Sequence, residues 1–160
     1  MCRAAYMSVA MLITTIATSP LFAQDMKKIG EWHLDLQASK LAGPATKSDV
    51  RIYEQADDGM LRSIHTVVQA DGRTSTTIYT ARDDGMEYPM MDAKGRSLGT
   101  IALKPDGDGA QTFFTKRDGV MTGRGRTSLS QDGRQMTMVI DLLVGPAAPR
   151  QIRTVFTRVK

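Results

Sequence analysis

The sequence predicts an all-β protein, an antiparallel up-and-down meander that closes into a barrel of about 8–10 strands. Three observations lead there. Seven Asp-Gly dipeptides punctuate the chain, at 58–59, 71–72, 84–85, 106–107, 108–109, 118–119 and 132–133. Gly accepts the positive φ of a tight hairpin turn, and Asp tolerates it while bonding its own backbone. Between the turns lie runs rich in Thr, Val, Ile, Tyr and Phe, residues that suit a pleated, half-buried surface. The stretch from Ile29 to Leu36 holds the only tryptophan, Trp32, in strict alternation. Trp32, Leu34 and Leu36 point one way and Glu31, His33 and Asp35 the other, the mark of a half-buried strand.

Upstream of that strand the chain reads as an export signal. Arg3 supplies a positive start, Val9 to Ala17 form an apolar run, and Ala23 is a small residue before a cut. Leu21, three positions before the cut, is bulkier than such sites prefer. The run is far short of the ~18 apolar residues that spanning a membrane needs. Residues 1–23 are therefore expected to be a signal peptide, and 24–160 a single domain delivered to the periplasm or the exterior. Cleavage would remove Arg3 and the only cysteine, Cys2, leaving no thiol for a disulfide or a nucleophile.

The formal charge of +4, one unit of which is Arg3, is weak ground for an acidic partner, and no nucleic-acid partner is expected. The densest basic stretch is Lys116, Arg117, Arg124, Arg126 and Arg134, diluted by Asp118 and Asp132. It reads as a solvated outer face guarded against edge pairing, with an anion- or headgroup-binding face as the alternative.

The first strand covers 30–36. Between 37 and 47 the pattern changes: residues 37–42 suit a helical turn that Gly43-Pro44 would stop. Strands at 49–56, 60–69 and 73–81 follow, parted by turns at 58, 71 and 84 that recur every thirteen residues. A strand at 86–90 leads into a longer loop, Met91 to Arg96. Strands at 97–104, 110–116, 120–129 and 134–143 come next, and 150–159 ends the series. The last connection, Val144 to Pro149, carries two prolines that exclude a ladder position. Ten short strands in an open sheet expose edges, and closure removes them. A two-sheet sandwich is the alternative, disfavoured because short turns mostly join neighbours. Val50 and Ile52 share one face, as do Met136, Met138, Ile140 and Leu142. Both faces of 74–81 are mixed, which fits either a wet interior or a strand with two solvated sides.

Gly30-Glu31-Trp32 opening the first strand, with an arginine on the last, resembles the lipocalin and fatty-acid-binding (calycin) superfamily. Ser39-Lys40, Tyr53-Glu54 and Asp84-Gly-Met-Glu-Tyr-Pro89 are similar to stretches of small exported bacterial proteins of lipocalin-like type. The resemblance implies a lipocalin-like barrel in which Gly30 starts the strand, Trp32 lies across the base and Arg158, or failing it Arg153, packs on the indole. Such a pair contributes ~0.5–2 kcal/mol and closes one end. The Arg-x-Tyr pair with which intracellular fatty-acid binders hold a carboxylate is missing, because Val155 stands where the tyrosine would follow Arg153.

A hollow barrel of this type implies a small hydrophobic or amphipathic ligand in a cavity of several hundred Å³. Tyr53, Tyr79, Phe113, Phe114, Met136 and Met138 are the candidates to line it, with Arg124 or Arg126 meeting an anionic head. The alternative is a barrel filled by side chains that acts through its surface, as a structural or interaction module of the cell envelope. A third reading makes Met136 and Met138 soft donors for Cu(I), helped by His33 or His65 and Trp32; methionine is equally a filler of cores. Two histidines make no zinc site, and Asp106-Gly-Asp108-Gly lacks the further acidic ligands of a calcium loop. No Gly-x-Ser-x-Gly elbow, phosphate loop or His-Glu-x-x-His is present, so neither catalysis nor a cofactor is expected.

Overall fold

Each of the ten expected runs is a strand, and the ten close into one antiparallel barrel. The computed structural model describes residues 27–43, 45–107, 109–143 and 149–159. The strands are β1 Gly30–Leu34, β2 Thr46–Gln55, β3 Leu61–Gln69, β4 Thr74–Ala81 and β5 Glu87–Asp92, then β6 Ser97–Pro105, β7 Gln111–Arg117, β8 Val120–Leu129, β9 Gln135–Leu142 and β10 Arg150–Arg158. Every strand pairs with its neighbours in the chain, and β10 pairs with β1. The expected signal peptide, Pro44 and most of the last connection lie outside the described residues.

The turns follow their chemistry. At 118–119, between β7 and β8, Asp118 and Gly119 have φ of 51° and 76°. Both central residues of a two-residue hairpin are thus left-handed, which matches the twist of the strands they join. Between β2 and β3 the chain makes a short 3₁₀ turn, Asp57–Gly59. The helical turn expected at 37–42 is not there. Asp35 instead caps a tight turn, its Oδ1 accepting the N–H groups of Gln37 and Ala38 at 3.0 Å. Lys40 then takes over from β1 beside β10, exchanging backbone bonds with Arg153 at 2.7 and 2.9 Å. Pairing with the sheet satisfies backbone groups that an isolated turn of helix leaves to water.

Trp32 sets which side of each strand faces inward. It is fully buried, and its cross-strand partners are Arg51 on β2 and Arg158 on β10. Residues directly opposite one another in a ladder share a face, so Asp49, Arg51 and Tyr53 point into the barrel. All three are buried. Val50 and Ile52, the aliphatic pair, lie on the outer wall, where Ile52, Ile64, Ile78 and Met91 form one row across four strands. Met136 and Met138 on β9 point inward. β2 is thus largely polar inside and aliphatic outside, the reverse of an ordinary half-buried strand.

One end is solid. Trp32, Leu61, Ala81, Leu103, Met136 and Phe156 belong to a single apolar cluster there. The Arg158 guanidinium lies 4.4 Å from the Trp32 ring. Its Nε donates to the Gly133 carbonyl and its Nη1 to that of Ile29, each at 2.9 Å, and Nη2 donates to Lys27. The indole N–H donates to the Lys28 carbonyl at 2.8 Å. Both polar groups of the stack are satisfied by backbone carbonyls, so neither desolvation penalty stands uncompensated.

Candidate functional site

Beyond this floor the barrel holds a cavity of about 200 Å³, partly open to solvent. That is smaller than the several hundred Å³ expected from the sequence, and at ~30 Å³ per water it holds about seven waters. The ladder brings one side of its lining together in two rows. Arg51 on β2, His65 on β3 and Thr77 on β4 stand directly opposite one another, and one step nearer the floor come Tyr53, Tyr79 and Met90. Across the barrel Ile101, Leu103, Phe113, Met138 and Ile140 supply the apolar wall, with Gln111 among them. Opposite Phe113 stands Gly125, and a Cβ there would lie 2.6 Å from the Phe113 Cζ. The bare backbone of β8 is what lets that ring lie flat against the wall.

The charged group of the chamber is Arg51. Its Cζ sits 4.9 Å from the Phe156 ring centre. Its Nη2 is 3.3 Å from His65 Nε2, and its Nε is 3.8 Å from Asp49 Oδ1. His65 Nε2 also lies 2.9 Å from Asp49 Oδ1. That approach is electrostatic rather than an aligned hydrogen bond: Asp49 Oδ1 and Arg51 Nε are both buried without a hydrogen-bond partner. One ring nitrogen cannot both donate to Asp49 and accept from Arg51. The tautomer of His65 therefore decides which neighbour is served.

Charge states follow from the surroundings. Burial disfavours the Asp49 carboxylate, but His65 and Arg51 outweigh burial and hold its pKa below the ordinary value. Burial, and after it the charge of Arg51, push His65 down against the pull of Asp49, so the imidazole is neutral at pH 7. Arg51 is itself disfavoured by burial, yet Tyr53 and Asp49 more than offset this and it stays charged. Burial pushes the Tyr79 phenol up, and it stays protonated. The chamber at neutral pH holds one cation, one carboxylate and a neutral imidazole.

Of the residues nominated from sequence, Tyr53, Tyr79, Phe113 and Met138 line this cavity. Met136 is fully buried in the apolar cluster that contains Trp32. Phe114, Arg124 and Arg126 stand on the outer wall instead, beside an open groove of about 530 Å³. Adjacent residues of a strand face opposite sides, so Phe113 inside puts Phe114 outside, and Gly125 inside does the same to Arg124 and Arg126. Their guanidiniums meet Asp141 at 3.2 Å and Asp106 at 2.6 Å. Gly30 begins β1 beside the Trp32–Arg158 stack. Arg153 lies on the exposed face of β10, its Nη1 donating to the Ala38 carbonyl at 3.1 Å. His33 is also outside, paired with Glu31 at 2.7 Å.

Arg51 and Asp49 were not recognisable as site residues, and His65 stood out only as a possible metal ligand. Their signal lay in register rather than in composition: counting along β2 from the partner of Trp32 reaches both. As for metals, no group of three or more His, Cys, Asp or Glu gathers among the described residues. Met138 does share the chamber with His65, but Arg51 beside that imidazole repels an incoming cation. A further hollow of about 810 Å³ lies at the closed end, between the 130–134 turn and Lys27. No helix among the described residues is long and apolar enough to cross a membrane. The sequence matches no protein-family model and no curated protein.

Proposed function

We propose that this is an exported, lipocalin-like protein that reversibly holds a small hydrophobic or amphipathic molecule inside its barrel. The observation that carries the reading is a chamber inside the barrel, partly open to solvent, with an apolar wall on one side and a buried, incompletely paired guanidinium on the other. Ligand pockets share that division, mostly apolar with a few placed polar groups. Export rests on the leader-like first 23 residues, and calycin-like descent on Gly30-Glu-Trp, the meander and the arginine on the indole. Native mass spectrometry of the mature protein from its own exported fraction tests both. A discrete added mass released by denaturation, on a chain shortened near residue 23, supports them. Clean apo protein that no small molecule stabilises against heat removes the binding reading.

The second reading is a barrel that acts through its outer wall. It is favoured by the aliphatic row Ile52, Ile64, Ile78 and Met91, which is only half-buried. It expects self-association or partner capture that Ile64→Lys abolishes while the barrel stays folded. An Ile64→Lys protein that behaves like the parent removes it.

A further inference from the structure

Arg51 is placed as an anion holder. Of the five N–H donors of a guanidinium, Nη2 reaches His65 and Nε reaches no acceptor, although the side chain is about nine-tenths buried. Its carboxylate neighbour, Asp49, comes no nearer than the 3.8 Å of its Oδ1 from Nε, and that oxygen too is without a bonded donor. A buried donor left so carries an uncompensated desolvation penalty, which a bound acceptor relieves. The space before it suits one aromatic or branched aliphatic body, with the wall of Ile101, Leu103, Phe113 and Met138 to receive it.

Charge balance adds a condition. Arg51 and Asp49 cancel, and a monoanion seated beside these buried groups brings one uncompensated negative charge out of water. Only one group there can take a proton readily, because His65 Nε2 already stands within reach of both Asp49 and Arg51. The groups facing it are Asp49, Arg51 and Tyr53 from β2 and Tyr79 from β4. Burial keeps the Tyr79 phenol protonated, so it has no site left to take up a proton. An anion seated on Arg51 quiets the charge that repels a proton from the imidazole, and Asp49 then receives the imidazolium N–H.

We infer that the chamber binds a compact organic monoanion, of the size of a benzene ring bearing one carboxylate, and takes up a proton on His65 as it does so. This rests on the binding reading above and names its ligand class. By linkage the two bind cooperatively: the anion raises the proton affinity of His65, and the proton raises the affinity for the anion by the same factor.

The probes are benzoate and its neutral isostere benzamide, titrated calorimetrically into the mature protein from about pH 5.5 to pH 8, in two buffers of different ionisation heat. Benzoate is expected to bind more tightly as pH falls, by up to about tenfold per unit, with net proton uptake. Benzamide should bind more weakly and without pH dependence. In His65→Gln benzoate affinity should stay at every pH near the parent's weaker value at about pH 8, with no proton uptake. Arg51→Lys, which keeps the charge and loses the fork, should narrow the preference for benzoate over benzamide. Benzoate affinity flat with pH, or a pH dependence that survives in His65→Gln, overturns the inference. Tighter binding of benzamide than of benzoate overturns it too but leaves the binding reading intact. Failure of these probes and of every small molecule in a thermal-shift screen overturns both.

Discussion

Replacing Arg51 by methionine should weaken the protein's loss of stability in acid. Asp49 and Arg51 have side chains about nine-tenths buried, so the change strands a carboxylate away from water. Breaking a buried pair on one side costs about 3–5 kcal/mol, here roughly 10 °C in melting temperature for a chain of this length. The pH dependence carries the sharper signature. In the parent, His65 has a folded pKa below its ordinary value of 6.5, so the unfolded chain binds the proton first and stability declines as pH falls below about 6.5. Without Arg51, one of the two causes that hold His65 down is gone and burial alone opposes the pull of Asp49. The decline of stability with falling pH then becomes shallower. Urea unfolding followed by Trp32 fluorescence between about pH 5.5 and pH 7.5 reads both slopes. Adding Asp49→Asn should return the protein to within about 1 kcal/mol of the parent, since the stranded charge is gone. A decline as steep in Arg51→Met as in the parent, or no recovery in the double variant, refutes the account of the cluster.

Other perturbations have simpler outcomes. Arg158→Met removes three hydrogen bonds to carbonyls and the cation over Trp32, and should cost about 2–4 kcal/mol with a red shift of the indole emission. Gly125→Ala drives a methyl to 2.6 Å from both Phe113 Cζ and the Val139 carbonyl. It should destabilise by about 1–3 kcal/mol in a thermal melt, more than an exposed strand glycine would. Arg124→Ala and Arg126→Ala break only exposed pairs, should each change stability by less than about 1 kcal/mol, and should leave benzoate binding untouched.

The architecture was legible because hairpin turns are local. Asp118-Gly119 and its counterparts state in two residues that the chain reverses, and strand-forming runs of suitable length lie between them. Residue facing was harder. A one-residue slip moves every side chain of a strand to the other side, and β1 and β2 are joined by a long connection that does not fix their register. Val50 and Ile52 therefore looked like core, whereas pairing with Trp32 turns Arg51 inward. The β3–β4 hairpin was more tractable, since the tight turn at 71–72 ties His65 to Thr77. Tyr79 and Phe113 were found by residue type alone. Phe114, Arg124 and Arg126 were misplaced because type was weighed without parity.

The pairing of β1 with β10 has a kinetic meaning. Every other ladder joins neighbours along the chain and can form from local encounters, whereas this one must bring together the two ends of the barrel sequence. Closure entropy and contact order make it the natural last step. Trp32 sits in that seam, with Arg158 opposite it and the Val159 N–H donating to the Glu31 carbonyl at 2.8 Å. The single tryptophan thus reports the fastening of the seam, while far-ultraviolet dichroism reports the hairpins. A chain rejoined from residue 159 to residue 29 and reopened at 118–119 would turn the seam into a hairpin and move the slow step to the opposite wall, out of sight of the indole.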